Sequence, residues 1–358
     1  MKKPFVPKML PIDLPNEHII ELLNLEINAR VKVQHFNSLM ERSVIKEELL
    51  IIFSIDESLQ STRLEGTQAS YSDVAEAELT GVASDDVQEV LNYLNALKLG
   101  EDLLKTLPLC TRVFLRLHEE ILNNSRGGNR APGEYRKIQN FIGPTQKIED
   151  ATYIPPEPHL VKELINNLEE YMNDDTLDQF GYLVRAGIIH GQFETIHPFL
   201  DGNGRFGRIL IILYLYNKNV IHVTNFFISG ELERNKYKYY SLLNGLREKN
   251  PKWKEWLVFF LQSTEKQACY YIDKLTQIES LYNRMYDFAI ENKINHKLIK
   301  YLFIKPIVTV SAVSKAIGVS DNTARSYLKK LVNASFLYTN DKKRYKTYIC
   351  YEIMDIVR

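Results

Sequence analysis

Ile196-His197-Pro198-Phe199-Leu200-Asp201-Gly202-Asn203-Gly204-Arg205-Phe206-Gly207-Arg208 lies between two helical stretches of a 358-residue chain. Pro198 pushes His197 out of α geometry, which predicts an extended turn with the imidazole projecting from a loop, placed to act as a base near neutral pH. Asp201 is a hard oxygen ligand suited to Mg²⁺. Gly202, Asn203 and Gly204 permit a tight turn that exposes successive backbone N–H groups at the start of a helix, an anion site by geometry and dipole. Arg205 and Arg208 add two planar forks that match phosphate oxygens. Three plainer readings compete. Gly202-x-Gly204-x-x-Gly207 formally matches a dinucleotide fingerprint, but that motif follows a buried strand, and here a helix and His-Pro come first. His190, His197 and Asp201 could hold a transition metal, yet no fourth ligand recurs at suitable spacing. The glycines could also be a helix cap and the arginines a solvated face.

Outward from this stretch the chain reads as mainly α. Pro4, Pro7, Pro11 and Pro15 make the first residues an arm with turns, and Asn16 and Glu17 open a helix. Helical texture then runs to Gly100, with breaks at Gly66 and Gly81; Leu50, Ile51, Phe53, Ile55 and Leu59 form one broad apolar face. Between Gly127 and Pro158, glycines and prolines punctuate short β-like pieces at Ile138–Ile142 and Thr152–Ile154, which predicts a small hairpin or flap. Helices are expected at His159–Met172 and Leu177–His190, from Arg205 to about Tyr216, and onward to about Asn292. The segment His296–Cys350 differs, with eleven Lys or Arg against two Asp or Glu in a chain whose 45 cations and 45 anions otherwise balance. Its pieces Leu298–Phe303, Val310–Ile317, Asp321–Val332, Phe336–Thr339 and Tyr345–Cys350 give the order helix, helix, helix, strand, turn, strand.

Composition excludes several classes. The longest charge-free apolar run, Ile209–Tyr216, is far shorter than a membrane helix needs. The start Met-Lys-Lys-Pro-Phe leads into no apolar signal region. Cys110, Cys269 and Cys350 are too scattered for a disulfide scaffold or a cysteine zinc site. The expectation is a soluble, cytoplasmic protein with no membrane partner.

The stretch 197–208 resembles the signature of the Fic family, His-Pro-Phe-x-Asp/Glu-Gly-Asn-Gly-Arg-x-x-Arg, with every specified position filled. The resemblance implies an all-α core with a small β-hairpin flap, and transfer of AMP from ATP to a Ser, Thr or Tyr hydroxyl of a protein. It implies His197 as general base, Asp201 as the Mg²⁺ ligand, and Gly202, Asn203, Gly204, Arg205 and Arg208 as the ATP-binding set. Gly204 stands where the kinase-like Doc branch has lysine. Upstream, Ser61-x-x-x-Glu65-Gly66 resembles the family's inhibitory helix, Ser/Thr-x-x-x-Glu-Gly/Asn, in the class that carries it before the core. Glu65 is therefore expected to pair with Arg208 and to misalign the α-phosphate; the same carboxylate could instead serve AMP removal.

Gly133-Glu134-Tyr135-Arg136 with Gln139, Asn140, Phe141, Ile142 and Gly143 resembles the family's target-binding flap, which would pair with an extended piece of the target. Tyr239 and Tyr240 resemble its aromatic pair near the nucleotide. The resemblance covers roughly residues 5–262. The basic tail resembles a winged helix, with Arg325, Lys329 and Lys330 as candidate DNA contacts on its third helix and Lys342, Lys343 and Arg344 in its wing. The expected division is an N-terminal helical region at 1–100 with the inhibitory helix at about 57–66, a catalytic core at 101–262, a helical connector at 263–295 and the winged helix at 296–358. The expected target is a hydroxyl-bearing protein, the chain itself included, and a homodimer stays open. The rival reading is a DNA-binding regulator whose core only senses nucleotide.

Overall fold

In the computed structural model, the described residues are 3–125, 128–145, 147–222, 224, 226, 228–340 and 346–357. The described part of the proline-rich arm carries no regular element up to helix α1 (Asn16–Arg42), whose N-cap is Pro15. There follow α2 (Lys46–Leu64), α3 (Tyr71–Thr80), α4 (Asp85–Leu104) and α5 (Thr111–Ile121), then α6 (Val161–Asn173), α7 (Tyr182–Ile196) and α8 (Asn203–Asn217), and next α9 (Ser229–Arg234), α10 (Lys236–Leu246) and α11 (Trp253–Glu291). Ser70 and Ser84 cap α3 and α4 through their side chains, and Gly81 ends α3 in the left-handed conformation.

Two helices decide where the site lies. α7 is buried from Leu183 to Ile196, and α8 is buried from Arg205 to Leu215. Helices apolar on all sides must sit inside. They pack on each other as a central pair, with α4, α5 and α2 against α8 and with α6, α10, α11 and α1 against α7. The loop 197–202 joins them, so the most chemically loaded stretch is held between two buried helices.

α7 starts and ends later than the expected Leu177–His190, and that shift adds a turn carrying Glu194 up to His197. The expected boundary at 262 falls inside α11, one unbroken helix that lies along α1, with Phe36 stacked on Tyr271 at 5.5 Å. The boundary at 100 likewise falls inside α4. Core and connector therefore share a helix rather than a linker.

The flap is less regular than a hairpin. One antiparallel bridge, Ile142 to Tyr153, joins its two limbs, and the rest is held by side chains. The chain's described strands are in the basic tail, whose order is α12 (Lys297–Ile304), β1 (Ile307–Thr309), α13 (Val310–Ile317), α14 (Asp321–Asn333), β2 (Tyr338–Thr339), β3 (Thr347–Ile349) and α15 (Tyr351–Val357). The sheet is antiparallel in the order β1-β3-β2, with Val308 opposite Tyr348 and Thr339 opposite the same residue. β1 and α15 were not anticipated. α15 packs on α11 and α2, α12 packs on α2, and Lys305 pairs with Glu78 of α3 at 2.5 Å.

Candidate active site

His197 ends α7. Its N–H donates to the Phe193 carbonyl at 2.8 Å, and its backbone is left-handed (φ 50°, ψ 60°). The expected extended turn is thus corrected: proline disfavours the right-handed helical region for the residue before it, and the helix end resolves this by turning left-handed. Gly202, at φ 74°, is the second left-handed residue and the N-cap of α8. Asn203 braces the loop, its Oδ1 accepting from the Phe199 N–H and its Nδ2 donating to the Phe199 carbonyl, both at 2.9 Å.

Two residues fix the loop from outside: His118, which the sequence did not single out, and Arg136, which it placed in the flap. His118 of α5 stacks on Phe199 with ring centroids 3.7 Å apart. The Gly133 N–H donates to its Nδ1 at 3.0 Å, so the ring proton sits on Nε2, which donates to the Asp201 carbonyl at 3.0 Å. Burial pushes this imidazole down to about 4, keeping it neutral. Arg136, itself buried, donates through Nε to the His197 carbonyl at 3.0 Å and through Nη2 to the Pro156 carbonyl at 2.5 Å. It ties the loop 197–202 to the flap.

Arg208 is 1% exposed, yet it is a cation with no bulk water around it. Its Nε donates to the Ser61 hydroxyl at 2.8 Å, and its Nη2 donates to the Ser61 carbonyl at 2.9 Å and to Glu65 Oε1 at 2.6 Å. Ser61 and Glu65 lie on the end of α2, one helical turn apart, so both face the same guanidinium. Gly204 explains how the carboxylate fits: a Cβ there would stand 2.2 Å from Glu65 Oε1. The Glu65 carboxylate therefore occupies the space over the first turn of α8, where the helix offers unpaired N–H groups and its positive dipole end.

Arg205 has a different partner set. It lies 3.3 Å from Glu89 of α4 and 3.7 Å from Asp201. Asp201 takes the Gly202 N–H on Oδ1 at 2.6 Å, while its side chain remains 45% exposed at the loop surface. One exposed carboxylate is the usual protein share of a magnesium site whose other ligands are phosphate oxygens and water.

The tyrosine pair divides. Tyr239 is buried, its hydroxyl donating to His190 Nε2 at 2.8 Å, because the other ring nitrogen of His190 faces the Gly207 carbonyl at 3.1 Å and must carry the proton. Its ring also packs near Trp256. Of the pair that resembles the family's aromatic pair near the nucleotide, Tyr239 serves the core as a tie between α7, α8 and α10. Tyr240 is 36% exposed and donates to the Leu64 carbonyl, beside Glu65.

In the flap, Gln139 donates to the Pro155 carbonyl at 3.0 Å and Asn140 donates to the Phe199 carbonyl at 2.8 Å. Ile142 holds the single bridge, Phe141 is half-buried beside it, and Gly143 passes so close to Ala151 that a Cβ would meet its Cα at 3.0 Å. In the tail, Arg325 and Lys329 are exposed and line a groove of about 720 Å³ with Lys346. Lys330 instead donates to the Asn292 carbonyl at 2.7 Å, at the end of α11, which corrects its place among the candidate DNA contacts. Lys342, Lys343 and Arg344 lie outside the described residues.

An anion-ready helix start, a histidine at the preceding helix end and a buried arginine on α8 are the parts that a phosphate-handling site requires. Two family models match the chain: "Fic/DOC family" over residues 108–215 and "Fic/DOC family N-terminal" over residues 23–102. The chain belongs to the Fic/DOC family. It is 25% identical over 304 residues to a "Probable protein adenylyltransferase" of Aquifex aeolicus, covering 81% of this chain and 83% of that protein. It is 26% identical over 196 residues to the "Protein adenylyltransferase Fic" of Drosophila willistoni, where it spans only 35% of the relative's length. Among solved structures, a Fic family protein from Desulfovibrio desulfuricans superposes with a TM-score of 0.60 at 18% identity over 98% of each chain. Fic-1 from C. elegans does so with a TM-score of 0.55 at 17% identity, over 72% of this chain and 74% of that one. Among the described residues no helix is long and apolar enough to cross a membrane, and no group of three or more His, Cys, Asp and Glu is placed to hold a metal ion.

Proposed function

We propose that this protein transfers AMP from ATP to a hydroxyl side chain of a protein target, and that Glu65 holds the reaction off. The observation that carries the reading is the Glu65 carboxylate seated over Gly204 and paired with Arg208: one anion already occupies the place built for another. With Glu65 withdrawn, the N–H groups of the first turn of α8 and the Arg208 guanidinium face the phosphates of ATP. His197 takes the proton of the incoming hydroxyl while its oxygen bonds to the α-phosphorus and the bond to the β-phosphate bridging oxygen breaks. The positive groups of α8 then stabilise the departing pyrophosphate. Asp201 is the residue that would hold Mg²⁺, which when bound supplies charge neutralisation at the phosphates. Arg205, held by Glu89, acts from the loop side of the same charge field. The flap, anchored by Arg136 and Asn140, lies beside the His197 loop, where a target segment could be registered.

The test is labelling with α-³²P-ATP and Mg²⁺ of the wild type, Glu65→Gly, and Glu65→Gly with His197→Ala. A gain in Glu65→Gly that His197→Ala abolishes is the expected result. A Glu65→Gly protein that binds ATP and hydrolyses or transfers nothing to itself or to lysate proteins overturns it.

The tail takes part in the proposal as a winged helix, supported by the order of α12, β1, α13, α14, β2 and β3 and by Arg325, Lys329 and Lys346 on one groove. DNA is its proposed partner. Binding that weakens steeply with salt and is lost on Arg325→Ala with Lys329→Ala supports this, and salt-insensitive or absent binding sinks it.

A further inference from the structure

The buried carboxylate of Glu194 stands one helical turn before His197 on α7, and nothing in the reaction described above uses it. Its Oε2 lies 3.7 Å from His197 Nδ1, and both side chains are largely enclosed, at 7% and 17% exposure. Among the described contacts, His197 Nδ1 and Glu194 Oε1 are buried polar atoms without a hydrogen-bond partner. The space for the carboxylate is provided by Gly207, where a Cβ would come within 2.7 Å of Glu194 Oε1. The position is also braced from the backbone, since Arg247 Nη2 donates to the Glu194 carbonyl at 2.9 Å. A carboxylate sequestered on the rear nitrogen of an imidazole, with Glu194 Oε1 and His197 Nδ1 lacking a partner among the described contacts, is an arrangement that orients a general base.

We propose that Glu194 is a positioning residue for His197: it holds the imidazole proton on Nδ1, so that the lone pair on Nε2 faces the incoming hydroxyl, and it stabilises the imidazolium formed when that proton is taken. The inference rests on the transferase reading for its consequence and on geometry for its substance. At 3.7 Å the contact is electrostatic rather than a hydrogen bond, and such contacts commonly tighten when substrate closes the site. The carboxylate does not take the proton itself. The hydroxyl proton moves to Nε2, the Nδ1 proton stays in place, and the pair returns to neutral imidazole when the proton leaves to solvent.

The surroundings favour an ionised Glu194. Burial pushes its carboxyl up, but His197, His190 and Arg208 more than reverse this and hold it down at about 2. The charged and titratable groups facing the pair are His190 on α7, Arg208 on α8, Tyr239 and Tyr240 on α10, Arg247 after α10, and Arg136 from the flap. Burial pulls His190 down to about 4, so above that pH the charges acting on Glu194 are those of the arginines. Among the described residues, the carboxylate paired with the His197 ring is that of Glu194.

The test uses full-length protein in the Glu65→Gly background, with Glu194→Gln as the isosteric neutral variant and Glu194→Asp as the shortened acid. Transfer is followed at saturating ATP and Mg²⁺ from pH 5.5 to 9, and ATP binding and thermal unfolding are measured alongside. Glu194→Gln is expected to lower kcat on the order of 10²–10⁴-fold, with less than a threefold change in the Kd for ATP. Losing the anion makes the imidazolium less stable, so the acid limb of the residual kcat profile moves to lower pH. Glu194→Asp should recover part of kcat and part of the limb. An unmoved limb, or kcat and ATP binding falling together, refutes the proposal. Ring ¹⁵N shifts of His197 give a readout independent of turnover. They should show the Nδ1–H tautomer in the parent and a mixture in Glu194→Gln, and the same tautomer in both refutes the proposal even if transfer is silent. A silent Glu65→Gly parent with the tautomer change present would refute only the transferase reading.

Discussion

Replacing Glu65 by glycine removes the anion that Arg208 holds and leaves the guanidinium its two contacts to Ser61. The magnitude follows from the contact that is lost. It is one charge-assisted hydrogen bond of 2.6 Å between an arginine with 1% exposure and a carboxylate with 35% exposure. A bond of that kind contributes about 1.5–3 kcal/mol, between the weak pairs of an open surface and the strong ones of a sealed interior. On the proposed function ATP displaces it before Arg208 takes a phosphate, so the competent fraction is lowered by about 10- to 150-fold at 1.4 kcal/mol per decade. The expected outcome is a rise of that size in kcat/KM for AMP transfer, read with α-labelled ATP on the chain itself or on a lysate. Glu65→Gln keeps the shape and loses the charge. Its amide oxygen still accepts from the charged guanidinium but without the attraction of an anion, so its activity should fall between wild type and Glu65→Gly. A rise below threefold in both variants, with ATP binding intact, would refute the displacement reasoning.

Gly204→Ala places a methyl where Glu65 Oε1 now sits, so it should break the Glu65–Arg208 pair yet also crowd the phosphates. Weaker ATP binding by calorimetry with no gain in transfer is expected, whereas a gain equal to that of Glu65→Gly would show that the phosphates do not use this space. Tyr239→Phe removes the hydroxyl that His190 accepts from and should cost about 1–3 kcal/mol in chemical denaturation, with little change in the KM for ATP. Glu57, buried on α2 and bound to Tyr93 and Ser229, is pushed by burial up to about 7. The folded chain therefore holds a proton there that the unfolded chain has released, so its contribution is full below about pH 4.5 and is lost as pH rises through about 7. That loss is about 3 kcal/mol, and Glu57→Gln should flatten the fall in stability between pH 5 and 8.

The loop 197–208 was legible because its residues are covalently close: a His-Pro, a Gly-Asn-Gly turn and two arginines three apart must share one helix start, whatever surrounds them. The Ser61 and Glu65 spacing was legible for the same reason, since residues four apart lie on one helix face. The conformation of His197 was not, because proline only forbids a region and the end of α7 chose which alternative was taken. Tyr239 and Tyr240 are adjacent and alike in sequence, yet one is sealed against Trp256 and the other is 36% exposed, a difference set entirely by what packs on α10. Lys330 likewise counts as a cation in the sequence and as a tether to α11 in the fold.

Local chemistry and helix periodicity, both carried by near neighbours in the chain, thus determined the mainly helical class, the anion-binding helix start and the basic tail. What the tertiary structure alone decided is which distant groups meet there. Glu65 reaches Arg208 across 143 residues, Glu89 takes Arg205, His118 and Arg136 brace the loop, and the longer α7 brings Glu194 to His197. A sequence records the identity of each charge, but its partner is fixed by which helices bury their apolar faces against one another, and that is a property of the packed chain as a whole.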